Sequence, residues 1–169
     1  MKIEDNFLDQ KEFDKLQNFI MGEGDNFAWY CQKTIDSSNE DVDKFQFTHM
    51  FYFNYAPASP FIEKLTPIIK KIVPLTLSKI KANLLTRTPN IIENTFHVDG
   101  IDLPEEKLKQ LTTSIFYVNT NNGYTKFEDG TKVESIANRF VSFPANMKHT
   151  GTSCTDEKIR VVINFNYFK

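Results

Sequence analysis

Residues 112–146 read TTSIFYVNTNNGYTKFEDGTKVESIANRFVSFPAN, and this stretch decides the fold class. Apolar and β-branched residues alternate over 112–119, 124–128, 132–136 and 139–143, the two-residue period of half-buried strands. Between the runs stand turn formers: Asn121-Asn122-Gly123, Asp129-Gly130 and Pro144-Ala145-Asn146. Short strands at this spacing read as an antiparallel sandwich or barrel rather than as parallel β-α-β units.

Working outward, further strands are expected at residues 79–87, 91–97 and 158–168. The polar segment Asp102 to Leu111 has a helical rhythm and reads as an excursion between strands. Before Pro74 the pattern is mixed. Phe13, Leu16 and Ile20 recur at helical spacing after Phe7-Leu8-Asp9, with an end expected near Gly22 and Gly24. A short aromatic strand is expected from Trp29 to Thr34. Phe45, Phe47, His49, Phe51 and Phe53 alternate onto one face of another. Ser59-Pro60 is a good helix start, a capping serine followed by proline, and Pro67 is expected to kink that helix. Helices first and crowded strands afterwards imply a mainly β fold with flanking helices, a jelly roll (double-stranded β-helix). One domain over 1–169 is expected, with helical and strand support in 1–77 and the jelly-roll core in 78–169.

Composition narrows the function classes. Net charge is −2 and the pI near 5.9, with the densest basic groups, Lys70-Lys71 and Lys79 with Lys81, short and set among acids. That balance argues against a phosphate-backbone grip, so no nucleic-acid partner is expected. Two cysteines, Cys31 and Cys154, make no disulfide framework or metal knuckle. The N-terminus has no signal-peptide core and no run reaches membrane-span length, so a cytoplasmic protein without a membrane partner is expected. Sixteen phenylalanines read as core filler between stacked sheets.

Three histidines are present, and two of them join a carboxylate in a suggestive order. His97 and Asp99, two apart, would share one face of a strand. His149 follows the strand that ends at Phe143. Two imidazoles and one carboxylate form the facial triad that holds non-haem iron(II) and leaves positions open. Taken alone, His97-Val98-Asp99-Gly100 fits a surface turn better, and His149 fits a solvated loop equally well. Arg160 adds weight, because a guanidinium inside the apolar run Ile159–Phe165 is costly to bury unless an anion pairs with it. Its fork matches a carboxylate; an internal acid or a water-facing edge would satisfy it too.

From about Lys79 to the C-terminus, the chain resembles the 2-oxoglutarate/iron(II) oxygenases of the prolyl 4-hydroxylase type. The matching pieces, in the family's order, are Phe96-His97-Val98-Asp99, Ile115-Phe116-Tyr117-Val118-Asn119, Gly123-Tyr124-Thr125-Lys126-Phe127, Arg139-Phe140-Val141-Ser142-Phe143-Pro144, His149-Thr150-Gly151 and the Arg160 strand. Asn26-Phe27-Ala28-Trp29-Tyr30 more loosely resembles short members often encoded by bacteriophages, which would act in the host cytoplasm. The resemblance implies Fe(II) on His97, Asp99 and His149, and Arg160 on the distal carboxylate of 2-oxoglutarate. It places the Tyr117 hydroxyl on that same carboxylate and lets Asn83 donate to the carboxylate near the metal. For these two, a core aromatic and a strand-end hydrogen bond are the plain readings.

The implied activity is hydroxylation of a C–H bond with 2-oxoglutarate and O2 consumed and succinate and CO2 released. The substrate would be peptidyl, a prolyl residue foremost, or a small molecule such as a free amino acid; a modified base comes last. A catalytically idle jelly-roll module that binds a ligand or partner is the alternative. The family's Arg-x-Ser is Arg160-Val161-Val162 here, so Tyr117 or another hydroxyl must stand in. The usual Gly-Gly is Asn122-Gly123, so the substrate-side hairpin is expected to differ. Asn166 stands where the nucleic-acid dealkylating branch has a second arginine, and Asp99 keeps the carboxylate that halogenases lose. His49 reads as a packed core histidine, Trp29 and Tyr30 as sheet cover or substrate stackers, and Cys154 as a loop thiol.

Overall fold

In a computed structural model, residues 1–22, 27–35, 44–100 and 103–169 are described. Gly24, Asn26 and Asp102, each invoked above, lie outside them. The frame is the antiparallel pair β5 (Thr76–Thr86) and β11 (Ile159–Phe168), registered from Ile159 opposite Thr86 to Phe168 opposite Thr76. Alternation along β11 explains both layers beside it. Val161, Ile163 and Phe165 pack into the large helix-covered core. Arg160, Val162, Asn164 and Asn166 face the other way, into a cavity.

The remaining elements, in chain order, assemble around that pair. They are β1 (Lys2–Glu4), α1 (Gln10–Met21), β2 (Tyr30–Gln32), β3 (Gln46–Phe53), β4 (Ala56–Pro57), a 3-10 turn (Pro60–Leu65) and α2 (Thr66–Ile72). After β5 come α3 (Glu105–Leu108), β6 (Leu111–Tyr117), β7 (Tyr124–Phe127), β8 (Lys132–Glu134), β9 (Arg139–Pro144) and β10 (His149–Gly151). The large sheet runs β1-β9-β6-β11-β5-β3-β2 with β4 on β3, and a small sheet runs β10-β7-β8. Two facing antiparallel sheets of this kind, with helices outside the larger, form a jelly roll.

Phe13, Leu16 and Ile20 of α1 bury against Phe116 and Phe140 on the outer face of the large sheet. Asp9 caps α1 by accepting from the Glu12 amide at 3.1 Å. Between the sheets lies the second core, where Ile115, Tyr117, Val141 and Phe143 meet Phe127 and Val133. Phe127 and Phe143 cross edge to face, 4.9 Å between ring centres.

Three expectations are corrected. Residues 91–97 form no continuous strand; they touch the 149–152 segment only through isolated bridges, Glu93 to Thr152 and His97 to His149. Four residues on one side span three on the other, so an extra residue bulges out and breaks the ladder. Pro67 does not kink a helix: it sits in the first turn of α2, where its missing N–H costs nothing. Phe53 leaves the face shared by Phe47, His49 and Phe51. A register shift between Met50 and Tyr52 turns Tyr52 toward the helices and Phe53 toward the cavity. Residues 1–77 also supply β1 to β4 of the large sheet, and neither edge strand β1 nor the three-residue β10 is legible in the periodicity.

Asn138 pins the N-terminal segment to the sheet. Its backbone is left-handed, φ 62°. Its side chain accepts from Leu8 N–H at 2.8 Å and donates to Leu8 C=O at 2.8 Å. Asn138→Ala should cost about 2–4 kcal/mol, since it strains the backbone and leaves two buried groups unpartnered. Asn138→Gly should recover only the backbone part. Urea unfolding midpoints check this, with equal stability of wild type and Asn138→Ala as the contrary outcome.

Candidate metal and anion site

The bulge before His97 and the short strand β10 bring the two triad histidines together. His97 N–H donates to His149 C=O at 3.0 Å, and His149 N–H returns the bond to His97 C=O at 2.9 Å. Their ring centres are 4.7 Å apart. Each Nδ1 faces a backbone carbonyl, that of Thr95 at 3.2 Å for His97 and that of Met147 at 3.0 Å for His149. A carbonyl accepts only, so Nδ1 donates in each ring, which leaves Nε2 as the nitrogen for a metal.

Asp99 completes the cluster: one ligand atom from each of His97, Asp99 and His149 lies within 4.8 Å of the others. Its Oδ2 accepts from Thr113 Oγ1 at 2.7 Å and from Asn166 Nδ2 at 3.0 Å, and lies 3.9 Å from His149 Nε2. Burial pushes the Asp99 carboxyl up, but the charges of His149 and Lys79 and the bonds from Thr113 and Asn166 outweigh it. The carboxyl is therefore held below its ordinary range and is ionised at neutral pH. Burial holds His149 below the usual histidine value, against the pull of Asp99 and with repulsion from His97. Two imidazoles and one carboxylate thus converge, with His97 exposed and the other two buried.

Arg160 lies in the same cavity, of about 480 Å³, and is 3% exposed. Its Nε donates to Ser135 Oγ at 2.8 Å and its Nη2 to Thr125 Oγ1 at 3.5 Å. No carboxylate among the described residues pairs with it. Burial alone pulls its pKa down, yet a guanidinium stays charged. The cradle is tight. A side chain at Gly123 would sit 2.6 Å from Arg160 Cδ, so only glycine fits behind the guanidinium.

Tyr117 is fully buried beside this group, its ring centre 5.8 Å from the guanidinium carbon. Its hydroxyl donates to Thr125 Oγ1 at 2.8 Å, and Thr125, not Tyr117, lines the cavity. Thr125 and Ser135 are the hydroxyls that sequence reading did not single out. Thr125 stands in the quoted run Gly123–Phe127, where alternation with Phe127 was the available signal. Asn83 lines the cavity directly across the ladder from Val162, its amide turned toward Lys81 C=O at 3.5 Å.

The leftover residues have plain places. His49 is buried, with Nδ1 on Ala28 C=O at 2.8 Å and Nε2 on Ser59 Oγ at 2.9 Å, outside the cavity. Trp29 crosses Phe27 edge to face at 5.1 Å, and Tyr30 is exposed. Cys154 is buried with Sγ on Glu157 C=O at 3.4 Å, and burial pushes its thiol up. Among the described residues, no helix is long and apolar enough to cross a membrane.

No protein-family model matches the sequence, and no curated protein matches it. Solved structures do match in shape. A Trichoplax adhaerens prolyl hydroxylase, in complex with a hypoxia inducible factor peptide fragment, superposes with TM-score 0.69 at 12% identity, over 99% of this chain and 82% of that one. The epimerase SnoN of nogalamycin biosynthesis, α-ketoglutarate dependent and non-haem, gives 0.69 at 13% identity, over 99% and 76%. A viral collagen prolyl hydroxylase from Paramecium bursaria Chlorella virus-1 gives 0.57 at 15% identity, over 99% and 89%. At such identities the likeness is one of fold, and the chain has the jelly-roll fold of these prolyl hydroxylases and of this α-ketoglutarate-dependent epimerase.

Proposed function

We propose that the chain is an Fe(II)- and 2-oxoglutarate-dependent dioxygenase that hydroxylates a C–H bond of a peptidyl or small-molecule substrate. One observation carries the reading: a buried arginine with no acidic partner among the described residues shares a cavity with two histidines and an ionised aspartate. A lone buried cation is costly unless an anion completes it. The His97, Asp99 and His149 donor set suits iron(II), and an intact carboxylate leaves no gap for a halide. The solved prolyl hydroxylases and the epimerase of the same fold support it as well.

In this reading His97 Nε2, His149 Nε2 and Asp99 hold the metal, and Arg160 receives the distal carboxylate of 2-oxoglutarate. Thr125 Oγ1, oriented by the Tyr117 hydroxyl, is the second contact for that carboxylate, in place of the family's serine at Val162. Asn83 serves the keto-acid end from the neighbouring strand. Iron(II), when bound with 2-oxoglutarate and O2, supplies the oxidation, and succinate and CO2 are the by-products. The chain's own groups fix the ligand orientations, keep Asp99 ionised and hold water away from the guanidinium. A prolyl peptide heads the substrate classes.

Two outcomes test the reading. Wild type should release succinate in a metal-dependent way, with or without added substrate. His97→Ala and Asp99→Ala should lose bound iron after dialysis. No metal-dependent release in either mode sinks the assignment. Arg160→Met should separate cosubstrate binding from folding. It should weaken 2-oxoglutarate by about 30-fold or more while leaving metal binding intact. In the absence of 2-oxoglutarate it should unfold at higher urea, by about 1–3 kcal/mol, because an uncompensated buried charge is gone. A destabilised Arg160→Met would mean that the fold itself completes Arg160.

A further inference from the structure

Away from Arg160 the cavity has a second basic end that the metal and cosubstrate do not account for. Alternation along β5 sends Lys79, Lys81 and Asn83 into the cavity and Ile80 and Ala82 toward the helices. No carboxylate among the described residues is within ion-pair reach of Lys79 or Lys81. Directly across the ladder, Asn164 opposes Lys81 and Asn166 opposes Lys79. The Oδ1 of both asparagines is buried without a hydrogen-bond donor. Such acceptors are rare in a folded interior and call for a partner.

Charge counting sharpens the point. The described residues lining the cavity include three cations, Lys79, Lys81 and Arg160, and one carboxylate, Asp99, which leaves two positive charges unmatched. Iron(II) and the 2-oxoglutarate dianion cancel each other, so binding both leaves the excess in place. Arg160 opposes Leu85 and Lys79 opposes Asn166, six residues further along β11, so the lysines form a basic group distinct from the guanidinium. The cavity of about 480 Å³ must also hold the cosubstrate, which limits the reacting part of the substrate to single-residue size.

Resting on the oxygenase reading, we infer that the substrate presents a carboxylate with a neutral amide N–H beside it. That is the chemistry of a peptide's C-terminal residue or of an N-acyl amino acid, in each case other than proline, which has no amide N–H; a reacting prolyl residue would precede that C-terminal residue. Lys81 and Lys79 receive the carboxylate, and the free Oδ1 of Asn164 or Asn166 accepts the N–H. An amide N–H is preferred over an ammonium, because a further cation would add to the excess.

The test uses full-length protein with Mn(II) and 2-oxoglutarate, which binds without turnover, and ligand-observed NMR. The probes are the N-acetyl L-amino acids and a random-sequence tetrapeptide library, each as free acid and as carboxamide. At least one free acid should bind, with its carboxamide about tenfold weaker or more. Lys81→Met should abolish the preference for acid and Lys79→Met should reduce it. Neither should change the 2-oxoglutarate Kd more than about twofold, a shift of under half a kcal/mol. Whichever library contains the binder identifies the source. Equal binding of acid and amide, or no binder in either library, overturns the inference. So does a weakened 2-oxoglutarate in Lys81→Met, which would assign the lysine to the cosubstrate. If wild type binds no 2-oxoglutarate, the oxygenase reading fails separately. The acid-over-amide preference is then read on the metal-free protein, and its absence there overturns the inference too.

Discussion

An arginine buried with no counter-charge among the described residues is the constraint on which the rest of the structure turns. Folding the chain around Arg160 gives up the hydration of a full charge and returns only two hydroxyl contacts and a ring face. A net stability of about 5–15 kcal/mol for such a domain leaves little room for that loss. The surroundings show how it is accommodated. Ser135, Thr125 and Tyr117 form a polar chain around the guanidinium, and Gly123 removes a side chain that would displace it. The cost is thus met by a local structure that has no other evident use than to keep a cation waiting for an anion.

The β5–β11 ladder turns that single charge into a directional cavity. Its inward positions run from Arg160 and Leu85, through Val162 and Asn83, to Asn164 with Lys81 and Asn166 with Lys79. Asn166 bonds to Asp99, so the same strand that carries the guanidinium also fixes one member of the triad. Register therefore matters more here than any single contact. A slip by one residue would send Arg160 into the helix-packed core and bring Val161 and Ile163 to the cavity. The outward phenylalanines and isoleucines are what forbid the slip, so core packing and site geometry are two faces of one strand.

The periodicity of the sequence revealed the strands that carry alternation over five or more residues, and β5, β6, β9 and β11 lie close to where it puts them. It missed β1 and β10, because three residues hold no period to read, and it over-extended 91–97, because a bulge leaves the polar-apolar pattern intact while breaking the hydrogen bonds. The triad residues were legible as types and order, not as geometry: His97 and Asp99 meet His149 through a pair of isolated backbone bonds rather than by sharing one strand face. Thr125 was hidden because a threonine in a strand has no distinctive signal; only the buried guanidinium beside it gives it a role. Lys79 and Lys81 were read as a short basic group among acids, since charge along the chain does not say which way a strand faces.

The triad is unevenly supported, and the unevenness has a direction. Asp99 and His149 are buried and anchored by side-chain and backbone partners inside the sandwich. His97 is exposed, and its position depends on two backbone bonds to His149 and one carbonyl of Thr95. Those bonds sit at the end of a bulged segment that touches residues 149–152 at only two bridges. The inner two ligands are thus prepared by the fold, whereas the outer one is held by a segment with few buried contacts. Such segments open most readily. Entry to the metal position from the His97 side, rather than through the sandwich, is the path that this difference in anchoring leaves easiest.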